Sequence, residues 1–130
     1  MNISISRLTN KNKRFIKGFD CGNWYINSFL QSLSFDNTIS ITYFMRNDNE
    51  LIGFFSLCSD AVIDVSASEK ETLMAPAIRI YMLAIDKKFQ RKKITIGNLD
   101  ITYAHLLLDG CISIIQNIAK VCPRLQKHKA

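Results

Sequence analysis

Alternation of apolar and polar residues along the chain predicts its first structural elements. Ile3 and Ile5 alternate with polar neighbours, which is typical of a short β-strand. After Gly22, apolar residues recur at mixed spacings of three and four and predict an amphipathic helix. These residues are Trp24, Ile26, Phe29, Leu30 and Leu33.

The next segment predicts a β-hairpin. Residues 39–46 alternate between β-branched or aromatic side chains and small polar ones, as strands do. Residues 47–50 (NDNE) have the composition of a turn, and residues 51–65 supply the returning strand. Asp60 and Asp64 are expected near the far end of this hairpin.

A fourth strand is predicted over residues 77–86. The preceding polar segment, residues 66–75, is expected to form a loop or a short helical turn, and Pro76 suits the entry to a strand. Apolar residues occupy both faces of this strand, which favours a central position covered by helices on either side. They are Ile78, Ile80, Met82, Leu83, Ala84 and Ile85.

A basic turn and a long helix follow the fourth strand. Residues 87–93 (KKFQRKK) carry five cations, and the apolar residues between Ile94 and Ile118 recur at helical spacing. We therefore predict a helix over residues 95–120, with Gly110 as a point of interruption and Pro123 as the stop. A strand, a turn and a helix N-terminus in this order can bind a phosphate through free N–H groups.

Composition places the chain among single globular domains spanning residues 1–130. With 48% hydrophobic and 22% charged residues it can bury a core, which excludes the disordered class, and it contains no repeat or linker. Its net charge of +6 favours an anionic partner, either a phosphorylated cofactor or a nucleic acid.

Cysteine spacing and the absence of targeting patterns favour a cytoplasmic protein without a metal. The four cysteines are widely separated and form no CxxC pair, so we expect free thiols rather than a zinc or redox site. Residues 1–8 lack the basic flank and apolar run of a signal peptide, and no window reaches the roughly 18 apolar residues of a membrane helix.

Several residues capable of chemistry have two interpretations each. His105 is either a catalytic base or an ordinary helix residue, and Cys21 is either a reactive thiol or a packing residue. His128 is expected to belong to the C-terminal tail. Four carboxylates also have two interpretations: one of them acts as a general base for an incoming amine, or all of them are ordinary solvated surface charges. They are Asp60, Asp64, Glu69 and Glu71. No catalytic residue is assigned.

Three ordered segments resemble the GCN5-related N-acetyltransferase (GNAT) family. Residues 81–95 (YMLAIDKKFQRKKIT) are similar to its "LAVD" strand, short turn and Q/R-x-x-G-x-G/A pyrophosphate loop. Gln90 opens that loop, whereas Lys93 and Thr95 occupy its two small positions. Residues 19–30 (FDCGNWYINSFL) resemble the opening of acetyltransferase toxins from toxin–antitoxin pairs, and residues 50–57 (ELIGFFSL) resemble the family's third strand.

The resemblance implies an α/β (α+β) fold with a mixed, mainly antiparallel sheet flanked by helices. It also implies acetyl-CoA as co-substrate and direct attack of an amine on the bound thioester, without a covalent enzyme intermediate. The fourth strand would orient the pantetheine and acetyl groups, and the following loop would hold the pyrophosphate. The implied cofactor-binding residues are Leu83, Ala84, Ile85, Gln90, Arg91, Lys92, Lys93, Ile94 and Thr95.

The resemblance further implies a domain that lacks the family's C-terminal strands. Relatives continue after the long helix with a fifth strand, a helix that bears a tyrosine, and two final strands, whereas only residues 121–130 follow the predicted helix here. Without a fifth strand, the fourth becomes an apolar edge that can pair with another chain, so a homodimer is one expectation. Ordering of the basic tail across that edge is another.

Two functional hypotheses follow. The first is an acetyl-CoA-dependent N-acetyltransferase of the tRNA-acetylating toxin type, whose acceptor is aminoacyl-tRNA or another amine and whose partner is an antitoxin. The second is a catalytically inactive relative that acts as a binding or oligomerising module through the exposed edge. Cofactor binding distinguishes them.

Overall fold

The computed structural model describes residues 2–32, 34, 36, 38, 40–64 and 73–121, of which 61–64, 73–76 and 121 are described by their backbone alone. The strands are β1 Ser4–Arg7, β2 Ile41–Arg46, β3 Leu51–Asp64, β4 Leu73–Ile85, β5 Lys93–Ile96 and β6 Leu99–Thr102. The helices are α1 Trp24–Ser32 and α2 Tyr103–Val121, and a 3₁₀ helix spans Lys13–Gly18.

The first four strands form one antiparallel sheet in the order β1-β2-β3-β4. The predicted first strand, the helix after Gly22 and the hairpin across residues 47–50 are confirmed within the described residues. Buried hydroxyls join the hairpin strands, where Thr42 Oγ1 and Ser56 Oγ lie 2.6 Å apart. The fold is therefore the expected antiparallel sheet flanked by helices.

Two hydrophobic clusters cover the two faces of this sheet. The alternation of strand side chains assigns adjacent residues to opposite faces, so Phe54 belongs to one cluster and Phe55 to the other. The α2 cluster contains Met45, Ile52, Phe55, Leu57, Ile85, Phe89, Tyr103, Leu107 and Cys111. The α1 cluster contains Ile16, Phe19, Phe29, Leu30, Phe44, Leu51, Phe54 and Ala84. Each fully buried side chain contributes about 1.5–3 kcal/mol.

Strand β4 differs from its predicted bounds and from the central position that its two apolar faces favoured, and it lies at the edge that the family resemblance implied. It begins at Leu73 rather than at residue 77, so the end of the predicted loop over residues 66–75 is strand, while residues 65–72 lie outside the described part of the chain. Pro76 lies inside the strand, opposite Ala61. β4 is the last strand of the sheet, and an edge strand tolerates a proline because its free side needs no N–H donor.

The largest correction concerns the segment after β4. The predicted helix over residues 95–120 is wrong at its N-terminus, because β5 and β6 form a separate antiparallel hairpin and α2 begins only at Tyr103. The helix then continues through Gly110 without interruption. Pro123 lies outside the described residues. In the part of the chain that is described, neither helix is long and apolar enough to cross a membrane.

Candidate functional site

The outer edge of β4 offers backbone groups rather than side chains. Leu83, Ala84 and Ile85 pair with β3 on one side, and among the described strands none pairs with the other side. Ala84 and Ile85 bury their side chains in opposite faces of the sheet. In an antiparallel strand, alternate residues direct N–H and C=O groups away from the paired neighbour. This edge can therefore bind an extended ligand that carries amides.

A β-bulge interrupts β4 just before these residues. Ser56 pairs with Met82 and Leu57 pairs with Ile80, so Tyr81 is the additional residue on β4. The Tyr81 ring is tilted against Phe29 of α1, with 5.5 Å between ring centroids. A bulge bends its strand and redirects backbone groups, which is why bulges are frequent beside binding sites. Sequence reasoning did not anticipate it.

Asp86 fixes the turn that follows β4. Its side chain is 2% exposed, and its two oxygens accept the N–H groups of Asp20 at 3.0 Å and Lys88 at 2.9 Å. The N–H of Lys87 donates in return to the carbonyl of Asp20 at 2.8 Å. Reciprocal bonds of this kind join the turn to the segment that precedes α1.

Gln90 acts as a second link between the same two segments. Its Nε2 donates to the carbonyl oxygens of Cys21 at 2.8 Å and Ile85 at 2.7 Å. Gly22 follows with a φ of +89°, and a Cβ there would lie 3.4 Å from Lys87 Cε. Both hydrogen bonds from the Gln90 side-chain amide therefore go to the protein backbone, and the role of Gln90 is to position the turn.

The remaining turn residues form an exposed basic segment. Lys87 and Lys88 pair with Asp20 and Glu50, respectively. In contrast, Arg91, Lys92 and Lys93 are exposed, and no described carboxylate lies within ion-pair distance of them. These three cations are available to an anionic ligand.

Arg91 adopts an unusual backbone conformation within this segment. It has a φ of +62° and is the one described non-glycine residue with positive φ. A residue with a Cβ is strained in this region, at a cost of roughly 1–2 kcal/mol. Backbone strain of this kind concentrates at functional sites and tight turns.

The predicted loop ligands at positions 93–95 lie in a strand instead of at a helix start. Lys93 pairs with Thr102, Ile94 packs against the α2 cluster, and Thr95 Oγ1 donates to Asp100 at 2.6 Å. Together with residues near the N-terminus, they line a groove of about 660 Å³. Its lining residues are Asn2, Ile3, Lys93, Ile94, Thr95, Ile96 and Tyr103.

Protein groups already occupy part of the α2 N-terminus. The N–H of Tyr103 donates to the Lys92 carbonyl at 3.4 Å, and the N–H of His105 donates to Thr102 Oγ1 at 3.1 Å. Thr102 therefore acts as the N-cap. The expected phosphate site at a helix start near residue 95 is not formed, and whether residues 90–95 contact a cofactor stays a prediction.

The sequence contained a pattern that predicts the β5–β6 hairpin. Gly97-Asn98 separates two short runs, KITI and LDIT, that alternate β-branched and polar residues, and Gly97 has a φ of +61°. A glycine followed by asparagine between such runs is typical of a two-residue hairpin turn. Helical spacing of the surrounding apolar residues obscured it.

The other candidate residues form no catalytic group among the described side chains. Cys21, Cys58 and Cys111 are free thiols, and burial raises the pKa of Cys111. His105 lies 3.5 Å from Asp109 on the exposed face of α2, and Asp60 pairs with Arg79 at 3.4 Å. No three His, Cys, Asp or Glu side chains within the described ranges are placed to hold a metal. Glu69, Glu71, Cys122 and His128 lie outside those ranges.

Comparison with known proteins places the fold. No family model matches the sequence, and no curated protein matches it. The structure is similar to a tyrosine-to-phenylalanine mutant of the toxin AtaT bound to acetyl-CoA and the C-terminus of the antitoxin AtaR, with a TM-score of 0.66 and 19% identity over 92% of this chain and 68% of that one.

Two further solved structures have a similar fold. A tyrosine-to-phenylalanine mutant of KacT gives a TM-score of 0.70 at 22% identity, covering 93% of this chain and 73% of its own. AtaT complexed with acetyl-methionyl-tRNAfMet gives 0.69 at 20% identity, covering 92% and 72%. This chain has a GNAT fold. Residues 81–95, one of the three segments that carry the sequence resemblance, form the end of β4, the turn after it and the start of β5.

Proposed function

We propose that the protein binds acetyl-CoA along the free edge of β4 and transfers its acetyl group to an amine. The observation that carries the proposal is the bulged edge of β4, which no described strand covers and which leads into the exposed cations Arg91, Lys92 and Lys93. In support, the same fold occurs in AtaT structures with acetyl-CoA, one of them with a TM-score of 0.71 over 92% of this chain.

The chemistry of coenzyme A matches these two features. Its pantetheine arm carries amide groups, which can pair with the backbone of Leu83, Ala84 and Ile85 as an added strand would. Its phosphates require cations, which Arg91, Lys92 and Lys93 supply. Gln90 would hold the turn against β4, while Ile94 and Thr95 would fix the start of β5.

The reaction follows from proximity. The amine nitrogen forms a bond to the acetyl carbonyl carbon and loses a proton, the carbon–sulfur bond breaks, and coenzyme A leaves as a thiolate that takes up the proton released by the amine. Backbone groups beside the Tyr81 bulge would orient the thioester carbonyl. No side chain is assigned as an acid or a base, and the proposed role of the protein is to align the two reactants.

Aminoacyl-tRNA is the proposed acceptor, and the proposed role is that of a toxin controlled by an antitoxin. Supporting this, the neighbours include AtaT with acetyl-methionyl-tRNAfMet and AtaT with AtaR, and the net charge of +6 favours an anionic acceptor. The three cysteines that the structure describes are free thiols, which fits a reducing compartment, so we place this activity in the cytoplasm.

A second candidate is an inactive relative that binds or oligomerises through the β4 edge. Two observations favour it. The α2 N-terminus begins at Tyr103, after the β5–β6 hairpin, and its first N–H groups are partly used within the protein. Ile80 is also 38% exposed on the edge strand, where apolar surface promotes pairing with another chain.

Calorimetric titration with acetyl-CoA tests the enzyme proposal. The informative variant replaces Arg91, Lys92 and Lys93 with alanine and keeps Gln90, because Gln90 holds the turn. Lys11→Ala is the matched control, since it removes an exposed cation far along the chain from β4. We expect binding to the wild type and the control, and at least tenfold weaker binding to the triple variant.

The outcomes separate the two candidates. If the wild type binds acetyl-CoA and acetylates aminoacyl-tRNA, the first proposal is supported. If it shows no heat of binding at high micromolar acetyl-CoA while remaining folded by circular dichroism, the cofactor proposal fails and the binding-module candidate remains.

A further inference from the structure

Two aromatic side chains project from the start of α1. Trp24 is 78% exposed and Tyr25 is 58% exposed, with their rings edge to face at 6.1 Å between centroids. Asn23 holds this turn of helix in place, because its Oδ1 accepts the N–H groups of Tyr25 at 2.9 Å and Ile26 at 3.2 Å. A large exposed aromatic pair on a rigid backbone is typical of a binding surface.

A basic groove lies along the same helix. Lys13, Arg14 and Lys17 of the 3₁₀ helix line a cavity of about 510 Å³ together with Ile16 and with Gln31 of α1. Gln31 follows Trp24 by seven residues, so both lie on one face of α1, roughly 10 Å apart along its axis. Helix geometry thus places Trp24 on the side of α1 that borders the groove, with Tyr25 beside it, and we call these residues together the α1 surface.

The cations of the α1 surface are not neutralised by the described carboxylates. Lys13, Arg14 and Lys17 are exposed and have no ion pair within the described residues. Arg14 is partly fixed, since it donates to the Lys11 carbonyl at 3.0 Å and lies 4.7 Å from the centre of the Phe15 ring. Asp20, the nearby acid in sequence, pairs with Lys87 at 3.2 Å.

We infer that a single-stranded segment of RNA binds along the α1 surface, with unpaired bases stacked on Trp24 and Tyr25 and phosphates held by Lys13, Arg14 and Lys17. Aromatic platforms beside a basic groove are the common means of binding unpaired nucleotides. The intervening face of α1 presents the exposed polar residues Ser28 and Gln31, which do not suit an apolar protein helix or a membrane. The distance between the aromatics and the groove suits one or two nucleotides.

This inference deepens the proposed function, because it assigns a surface for a tRNA acceptor and rests on that function for its biological role. The α1 surface uses Trp24, Tyr25 and the cations of the 3₁₀ helix, whereas the cofactor proposal rests on the β4 edge and on different cations, Arg91, Lys92 and Lys93. Binding of RNA and binding of acetyl-CoA can therefore be measured and can fail independently.

Tryptophan fluorescence reports directly on the proposed site, because Trp24 is the one tryptophan of the sequence. The probe is a single-stranded RNA of about eight nucleotides, compared with a duplex of the same length and charge per strand. We expect the single strand to quench Trp24 fluorescence in a saturable way and a duplex without overhangs on either strand to quench it far less, since bases inside a duplex are already stacked on their neighbours.

Variants distinguish stacking from simple charge attraction, with affinity measured by anisotropy of labelled RNA. Trp24→Ala should weaken binding about tenfold or more, whereas Trp24→Phe keeps a ring and should retain most of the affinity. Lys17→Ala should weaken binding and lower the salt dependence by about one unit of slope. Leu108→Ala, at a 41% exposed position on α2, is the control and should change nothing.

Equal binding of single strand and duplex without a change in Trp24 fluorescence would overturn the inference, as would unchanged affinity in a folded Trp24→Ala protein. No RNA binding at low salt also overturns it. If RNA binding is lost in Trp24→Ala while acetyl-CoA binding persists, the α1 surface is supported. If acetyl-CoA fails to bind but RNA binding depends on Trp24, the cofactor proposal fails and the α1 surface stands.

Discussion

Asp20 is the residue with the densest set of polar contacts near the candidate site. Its Oδ1 accepts the Gly22 N–H at 2.8 Å and Asn27 Nδ2 at 2.9 Å, and its Oδ2 lies 3.2 Å from Lys87 Nζ. These contacts, led by the Gly22 N–H, lower the pKa of Asp20 from 3.8 to about 2. All of them stabilise the charged form.

A low pKa makes the contribution of Asp20 to stability dependent on pH. Because the pKa is lower in the folded than in the unfolded protein, this contribution is complete above pH 3.8 and is lost as the pH falls through about 2. We expect the stability difference between wild type and Asp20→Asn to be constant at neutral pH and to shrink between these values. Urea denaturation at a series of pH values measures it.

NMR titration of the Asp20 carboxyl group measures its pKa directly and allows two variants to be compared. Asn27→Ala removes one donor and should raise the pKa toward 3.8, whereas Ser28→Ala, at the next position of α1, should leave it low. A midpoint at or above 3.8 in the wild type would contradict the hydrogen-bond geometry around Asp20.

Arg91 allows the cost of backbone strain to be measured. At a φ of +62°, glycine removes the clash of the Cβ, whereas alanine retains it. We expect Arg91→Gly to be more stable than Arg91→Ala by about 1 kcal/mol, and both variants lose the same charge. Thermal or urea denaturation compares them. Greater stability of the alanine variant would show that this residue does not adopt positive φ.

At the scale of elements, Gly53 permits close contact between β3, β4 and α2. A Cβ at position 53 would lie 2.7 Å from the carbonyl oxygen of Ala84 and 3.1 Å from Leu107 Cδ2. The backbone oxygen cannot move without disturbing the β3–β4 pairing. The strand that carries the candidate cofactor site therefore depends on a residue without a side chain.

Substitution of Gly53 should be costly for this reason. We expect Gly53→Ala to lower the free energy of unfolding by about 1–3 kcal/mol, because overpacking forces strands apart. Gly18→Ala is the matched control, since a Cβ there has no atom within 4 Å, and it should change stability by less than about 0.5 kcal/mol. Equal effects in urea denaturation would contradict the packing argument.

At the scale of the whole molecule, the edge of β4 that no described strand covers allows self-association to be tested. Ile80 is 38% exposed on this edge. If copies pair along β4, Ile80→Lys should reduce association, because a charged residue on an edge strand opposes pairing. Ile112→Lys, at a 41% exposed position on α2, should not.

Sedimentation velocity over a range of protein concentrations measures this effect. A wild type that remains monomeric at every concentration, or equal behaviour of both lysine variants, would contradict pairing through β4. Concentration-dependent dimers lost in Ile80→Lys alone would support it.

Local patterns predicted the elements whose hydrophobic period matched their structure. The alternation in β1 and β2, the turn residues before β3 and the mixed spacing in α1 were sufficient, because each of these signals lies within a short stretch of neighbouring residues. Residues 93–102 were misread, because their isoleucines and leucine fit both a helical and an alternating spacing. The Gly97-Asn98 turn was the stronger signal.

The sequence by itself determined the antiparallel hairpin, the basic turn and the GNAT-like order of segments, since these depend on neighbours in the chain. Only the tertiary structure decided the bulge at Tyr81 and the links from Asp86 and Gln90 to the segment before α1. The two links join residues more than 60 positions apart, as Gln90 and Cys21 are. Contacts of such range depend on how the elements pack, which no local period encodes.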